Sequence, residues 1–133
     1  MTRLASIDIG TNTARLLILE KKSGADLVEL SQARAITRLG KGMSEGKKLL
    51  DDRIDKTISV LTKFRNECRK FEPIVIRAVA TSAVREADNQ KEFLLKVKKE
   101  VGLEVEVIPW EKEADLMVKG VLWKLPSVKR NLL

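Results

Sequence analysis

ASIDIGTNTARLLILE, residues 5–20, is the stretch from which the fold is read. Ala5, Ile7 and Ile9 alternate with Ser6 and Asp8, the two-residue period of a strand with one buried face. Arg15 to Leu19 is a second, more continuous apolar strand. Between the two stand Gly10, Thr11, Asn12 and Thr13. A tight hairpin needs about two turn residues. This one holds more, and they are rich in donors. Gly10 accepts backbone angles that other residues avoid, and it puts no side chain between the chain and a ligand. Successive N–H groups in such a turn can cradle an anion, with the Thr11 and Thr13 hydroxyls and the Asn12 amide as further donors. Asp8 beside an anion is repulsive unless a divalent cation lies between them. A carboxylate, phosphate oxygens and water make an ordinary magnesium shell. Taken alone, the stretch reads first as a polar hairpin turn, with phosphate binding the lesser reading.

Working outward, residues 21–26, KKSGAD, form a turn with Gly24 as pivot, and Leu27 to Leu39 resumes extended structure. Three strands joined by short turns suggest an antiparallel meander. The period then changes. LGKGMSEG, with Gly40, Gly42 and Gly46, reads as loop. Leu50, Ile54, Ile58, Leu61, Phe64 and Cys68 recur at three and four, one face of a helix with Asp51 or Asp52 at its start and Pro73 beyond its end. Ile74 to Thr81 is apolar on one side and reads as a buried strand. Asn89 followed by Glu92 resembles a capping box, and Phe93, Leu94, Val97 and Val101 make the next helical face. Lys98 and Lys99 fall in its last turn and Gly102 suits its C′ position. LEVEVIP, from Leu103, alternates as a strand, and Glu111 to Trp123 reads as a last helix. The order is β-β-β-α-β-α-β-α, an α/β domain with a mixed sheet flanked by helices.

The chain has 133 residues, the size of one domain, and 44% hydrophobic residues, enough for a core. No apolar run approaches the roughly 20 residues of a membrane span. One cysteine, Cys68, offers no internal disulfide, so a reducing cytoplasm is the expected compartment. The absence of histidine excludes Ser-His-Asp, Cys-His and His-rich zinc chemistry within this chain. Acid/base work falls to carboxylates or lysines. A formal net charge of +7 favours anionic partners. An aromatic fraction of 4% supplies few stacking platforms, which argues against nucleic acid as the partner.

Two further clusters can carry chemistry. In AVATSAVREADN, from Ala78, a strand ends in Thr81 and Ser82 and meets a helix carrying Arg85. The carboxyl ends of strands are where open α/β sheets bind ligands, and Arg85 offers a planar fork to phosphate. The plainer reading is a cap at Thr81 or Ser82, with Arg85 paired to Glu86 or Asp88. In PWEKEAD, from Pro109, Glu111, Glu113 and Asp115 open a helix, where acids also sit simply because of the macrodipole. One of them near a phosphate could take a proton from water. All three clusters follow strand ends, so an α/β layout can bring them to one edge.

DIGTNTARLLI, RLGKGM, VATSAVREADN and EVIPWEKEADLMVKGV, in this order, resemble the N-terminal half of the Ppx/GppA phosphatases, the exopolyphosphatases and guanosine pentaphosphate phosphohydrolases. The resemblance covers nearly the whole chain. It implies a ribonuclease-H-like domain of the actin/Hsp70/sugar-kinase superfamily. It implies hydrolysis of terminal phosphate from inorganic polyphosphate or guanosine pentaphosphate, with magnesium. On the family pattern Gly10, Thr11, Asn12 and Thr13 contact phosphate, Asp8 is the acid associated with metal, Arg85 holds substrate phosphate, and Glu113 is the base. Trp110 and Lys112 depart from that pattern, where glycine and a second glutamate are usual. A lysine beside Glu113 favours its ionised form and makes it less basic.

The family's second glycine-rich loop does not occur in residues 1–133, whose last residues, KLPSVKRNLL, look like a strand just begun. The expectation is therefore a single domain that is the N-terminal lobe of a longer two-lobe phosphatase core, inactive in isolation. The second lobe of the same protein is its expected partner, and an exposed sheet edge also allows a homodimer. The alternative is a non-catalytic domain that binds phosphate or an alarmone for regulation.

Overall fold

The structure, a computed structural model, describes residues 2–22 and 26–109. The hairpin of Ala5 to Glu20 is real: β1 (Thr2–Ile9) pairs antiparallel with β2 (Thr13–Lys21), from Thr2 opposite Lys21 to Ile9 opposite Ala14. β2 pairs antiparallel with β3 (Leu27–Ile36). The register slips between Ile18, opposite Ser31, and Leu19, opposite Glu29, so Leu30 is the extra residue of a β-bulge. The extended reading to Leu39 is too long by three residues: β3 ends at Ile36, because the N–H groups beyond it turn to a loop carbonyl rather than a strand. The expected Gly24 pivot lies outside the described residues.

The segment read wholly as loop contains a single helical turn, α1 (Met43–Gly46), entered through Gly42 at φ 83°. α2 (Asp51–Arg69) follows and buries Ile54, Ile58, Leu61, Phe64 and Cys68, all of the face given by the three-and-four spacing except its first residue, Leu50, which is exposed. Its N-cap is Leu50, with no side-chain cap; Asp51 and Asp52 lie inside the first turn, where their charge opposes the macrodipole's positive end. The chain then returns as β4 (Val75–Ala80), parallel to β1, and through α3 (Ser82–Glu86) and α4 (Gln90–Glu100) to β5 (Val105–Val107), parallel to β4. The sheet order is β3-β2-β1-β4-β5, mixed and five-stranded. The expected last helix over 111–123 lies outside the described residues.

The period of two decides which side is core. Ala5, Ile7 and Ile9 of β1, Ala14, Leu16 and Ile18 of β2, and Ala78 and Ala80 of β4 are buried together with the α2 face and with Phe93 and Val97 of α4. The other side of β4 is more open than a strand buried on both faces, with Val75 at 60% exposure. Polar contacts fasten the helices to the sheet. Ser31 of β3 donates to Glu67 of α2 at 2.8 Å, and Lys70 pairs with the same carboxylate at 2.8 Å. Lys70 first and then Ser31 hold the Glu67 carboxyl below its ordinary pKa. Burial pushes the Cys68 thiol up. Among the described residues, no helix is long and apolar enough to cross a membrane.

The capping-box expectation is half right. Asn89 is the N-cap of α4, but its side chain makes no cap bond. It instead accepts from the Leu49 N–H at 2.9 Å and donates to the Leu49 carbonyl at 2.9 Å, closing a two-bond clamp on the backbone of one residue. Gly102 does take the left-handed C′ position, at φ 81°, with its N–H on the Lys98 carbonyl at 3.1 Å. The clamp makes a clear distinction. Asn89→Ala should cost about 2 kcal/mol, two part-buried hydrogen bonds at about 1 kcal/mol each. Glu92→Ala should cost less than ~0.5 kcal/mol, as an ordinary surface change does. Urea unfolding of the two variants checks this; equal costs would restore the capping box.

Candidate functional site

Because β1 and β4 run parallel, the loops that follow them leave the sheet at the same edge. The first loop is closed by its own backbone, the Gly10 N–H donating to the Thr13 carbonyl at 3.1 Å. Among the described residues, the N–H groups of Thr11 and Asn12 have no protein acceptor, whereas both of their carbonyls accept hydrogen bonds. The Asn12 carbonyl accepts from the Thr37 and Arg38 N–H groups at 2.9 and 3.0 Å, and the Thr11 carbonyl from Gly40 at 2.9 Å. The loop is thus held by its acceptors and keeps donors for another partner, the polarity an anion site needs.

The β4–α3 segment joins it. The Thr81 N–H donates to the Ile9 carbonyl at 3.2 Å, extending the β1–β4 ladder one step past the strands. Beyond that step the hydroxyls of Thr11 and Ser82 lie 2.6 Å apart, a hydrogen bond between residues 71 positions apart in sequence. Neither Thr81 nor Ser82 caps α3: Thr81 is its N-cap residue without a side-chain bond, and Ser82 is turned to the first loop.

Arg85 ties the third segment in. Its Nη1 donates to the Ile108 carbonyl at 3.0 Å, just after β5, and its Nε lies 3.4 Å from the Glu86 carboxylate. The Ile108 N–H in turn donates to the Ala80 carbonyl at 3.0 Å. Of the partners considered from sequence, Glu86 and Asp88, Glu86 is present as a long contact, and the Ile108 carbonyl is a partner that sequence did not suggest. Side-chain burial agrees: Arg85 is 16% exposed and Glu86 68%. Gln90 donates to the Val84 carbonyl at 2.9 Å and so fixes the end of the short helix that carries Arg85.

Asp8 is exposed, on the sheet face opposite the core, one residue before the end of β1 and in register with Arg15. Among the described residues no group of three or more acid, cysteine or histidine side chains could enclose a metal. One carboxylate at the edge still fits magnesium, which keeps several waters and takes its other ligands from phosphates. Trp110, Lys112 and Glu113 lie outside the described residues; Glu113 follows Ile108 by five positions. Gly10, Thr11, Asn12, Thr13 and Arg85 are brought to one edge. Ser82 and the segment from Thr37 to Gly40 belong there too. The hydroxyl of Ser82 beside a strand end was a signal for the former. The cluster of glycines in RLGKG was a signal for the latter.

Comparison with known proteins gives a consistent result. The model of the Ppx/GppA phosphatase family matches residues 17–133. Exopolyphosphatase 1 of Mycobacterium tuberculosis is 32% identical over 119 residues, 90% of this chain and 35% of that protein. A bifunctional 3-dehydroquinate synthase/phosphatase of Fusobacterium nucleatum is 36% identical over 124 residues, 89% of this chain and 19% of that protein. Among solved structures, the Aquifex aeolicus Ppx/GppA family member superposes with a TM-score of 0.80 at 45% identity, over 84% of this chain and 36% of its own. An exopolyphosphatase from Cytophaga hutchinsonii superposes with a TM-score of 0.86 at 34% identity, over 90% of this chain and 38% of its own. The five-stranded mixed sheet with flanking helices is the ribonuclease-H-like, actin-superfamily fold of these neighbours. The chain spans about a third of the length of the exopolyphosphatases it matches, 35% in the M. tuberculosis case.

The Thr11–Ser82 contact can be measured directly. A double-mutant cycle of Thr11→Val and Ser82→Ala should return a coupling of about 1 kcal/mol in urea unfolding, the net worth of one such bond. A coupling near zero would mean that the two loops are independent.

Proposed function

The chain belongs to the Ppx/GppA phosphatase family, and from that premise we propose that its sheet edge is one wall of a site that hydrolyses terminal phosphate. The substrates of this reading are inorganic polyphosphate and guanosine pentaphosphate. The observation that carries it is the joining of three separate sequence segments at one edge, by the Thr11–Ser82 contact at 2.6 Å and the Arg85–Ile108 bond at 3.0 Å. A hairpin turn alone would need neither.

The roles follow from donor chemistry. The Thr11 and Asn12 N–H groups, with the Thr11, Asn12 and Thr13 side chains, bind and orient the terminal phosphate. Gly10 lets the backbone come close. The Arg85 guanidinium faces phosphate oxygens with a planar fork, and its bond to the Ile108 carbonyl sets the direction of that fork. Asp8 would hold Mg2+, which neutralises phosphate charge when bound. Glu113 takes a proton from water as the water oxygen bonds to the terminal phosphorus. The bridging P–O bond breaks, and its electron pair leaves with the shortened phosphate chain. Positioning and charge stabilisation supply most of the catalysis in such transfers.

Since the chain spans about a third of its exopolyphosphatase relatives, 35% of the M. tuberculosis protein, we place the rest of the site on a second lobe. Residues 1–133 alone should turn over little or nothing. The decisive variant is Glu113→Gln in the protein as encoded. Phosphate release from polyphosphate should fall by about 10²- to 10⁴-fold, the usual worth of a general base, with polyphosphate binding retained. An unchanged rate would remove Glu113 from its role. Saturable binding with no release by the wild type would favour the regulatory alternative.

A further inference from the structure

The phosphohydrolase reading makes no use of the segment from Thr37 to Gly40, yet that segment grips the loop it depends on. Three of its N–H groups, those of Thr37, Arg38 and Gly40, close on the carbonyls of Asn12 and Thr11 at 2.9–3.0 Å. The segment itself is anchored. Leu39 is fully buried in the core cluster, and the Thr37 carbonyl accepts from Nη1 of Arg53 on α2 at 3.3 Å. Arg38 takes a left-handed conformation, φ 51°, rare for a residue with a side chain. That turn lies between the Arg38 N–H on the Asn12 carbonyl and the Gly40 N–H on the Thr11 carbonyl, so it redirects the chain from one acceptor to the next.

Gly40 is where the fit is tightest. A Cβ placed there would overlap the Cγ2 methyl of Thr11 and sit 3.4 Å from the Cβ of Ala83. It lies between the first loop and the first turn of α3. The Thr11 methyl and hydroxyl share one Cβ, so rotation that frees the methyl also swings the hydroxyl away from Ser82. Absence of a side chain at Gly40 therefore leaves room for the Thr11 rotamer that makes the 2.6 Å contact between the two loops.

We infer that Gly40 is a positioning residue for the phosphate loop, acting by leaving room for the one Thr11 rotamer that hydrogen-bonds Ser82. This rests on the phosphohydrolase reading for its functional consequence, but not for its geometry. The test is a cycle of Gly40→Ala and Thr11→Ser in the protein as encoded. Serine keeps the hydroxyl and lacks the obstructing methyl, so it should relieve the alanine. Inorganic polyphosphate binding is measured by calorimetry, and stability by urea unfolding. Gly40→Ala in the wild-type background should weaken binding by on the order of tenfold or more, the cost of a small misplacement of binding groups. The same change in the Thr11→Ser background should weaken it by less than about threefold, and the stability loss should shrink in parallel. Equal losses in both backgrounds, or no loss in either, would overturn the inference. Should the wild type fail to bind polyphosphate, the functional reading falls by itself, and the stability half of the cycle still decides whether Gly40 acts through the Thr11 methyl.

Discussion

The parallel pairing of β1 with β4 is the constraint on which the rest of the structure depends. β1 is the only described strand with an antiparallel neighbour on one side and a parallel neighbour on the other. The antiparallel side makes the Gly10–Asn12 turn into a short return. The parallel side brings the end of β4 alongside that turn, Ile9 level with Ala80. Two loops about 70 residues apart in sequence thus begin side by side in space. β5, parallel to β4 in its turn, delivers Ile108 to the same edge. The pairing is fixed by burial, because a slip by one residue would turn Ile7 and Ile9 out of the core.

What gathers at that edge is a set of donors. The loop carbonyls of Thr11 and Asn12 are turned inward to the segment from Thr37 to Gly40, and the Arg85 guanidinium is braced on a carbonyl and a long carboxylate contact. A net charge of +7 adds a long-range attraction for anions, screened within about 8 Å at physiological salt. The global charge brings an anion near, and the fixed donors decide where it stops. Asp8 is the one acid on β1, placed beside the turn and level with Arg15, so a cation shared with phosphate would sit at the boundary between the two kinds of charge.

Local periodicity carried most of the fold. The alternation of Ala5, Ile7 and Ile9, the three-and-four spacing of α2, and Gly102 beyond α4 each report a property of a few adjacent residues, and each is where it was read. The readings that failed concern side chains whose partners are remote. Asn89 has the composition of a cap, but its amide meets Leu49, 40 positions away. Ser82 has the composition of a cap as well, and it meets Thr11, 71 positions away. Strand β3 stops early because Thr37 and Arg38 find the Asn12 carbonyl instead of continuing the ladder. Donor chemistry pointed to Thr11, Asn12 and Arg85 before any geometry. The part inferred for Gly40 needed the three-dimensional structure, since a glycine's lack of a side chain has meaning only once its neighbour is known.

The central account is that the loop after β1 and the loop after β4 form one anion-binding edge. Titrating isotopically labelled protein with tripolyphosphate, and following backbone amides by NMR, tests it most directly. The largest shifts should fall together on Thr11, Asn12, Ser82 and Arg85, saturating with one affinity. Shifts spread over the exposed lysines of α2 and α4, with those four amides unmoved, would contradict it.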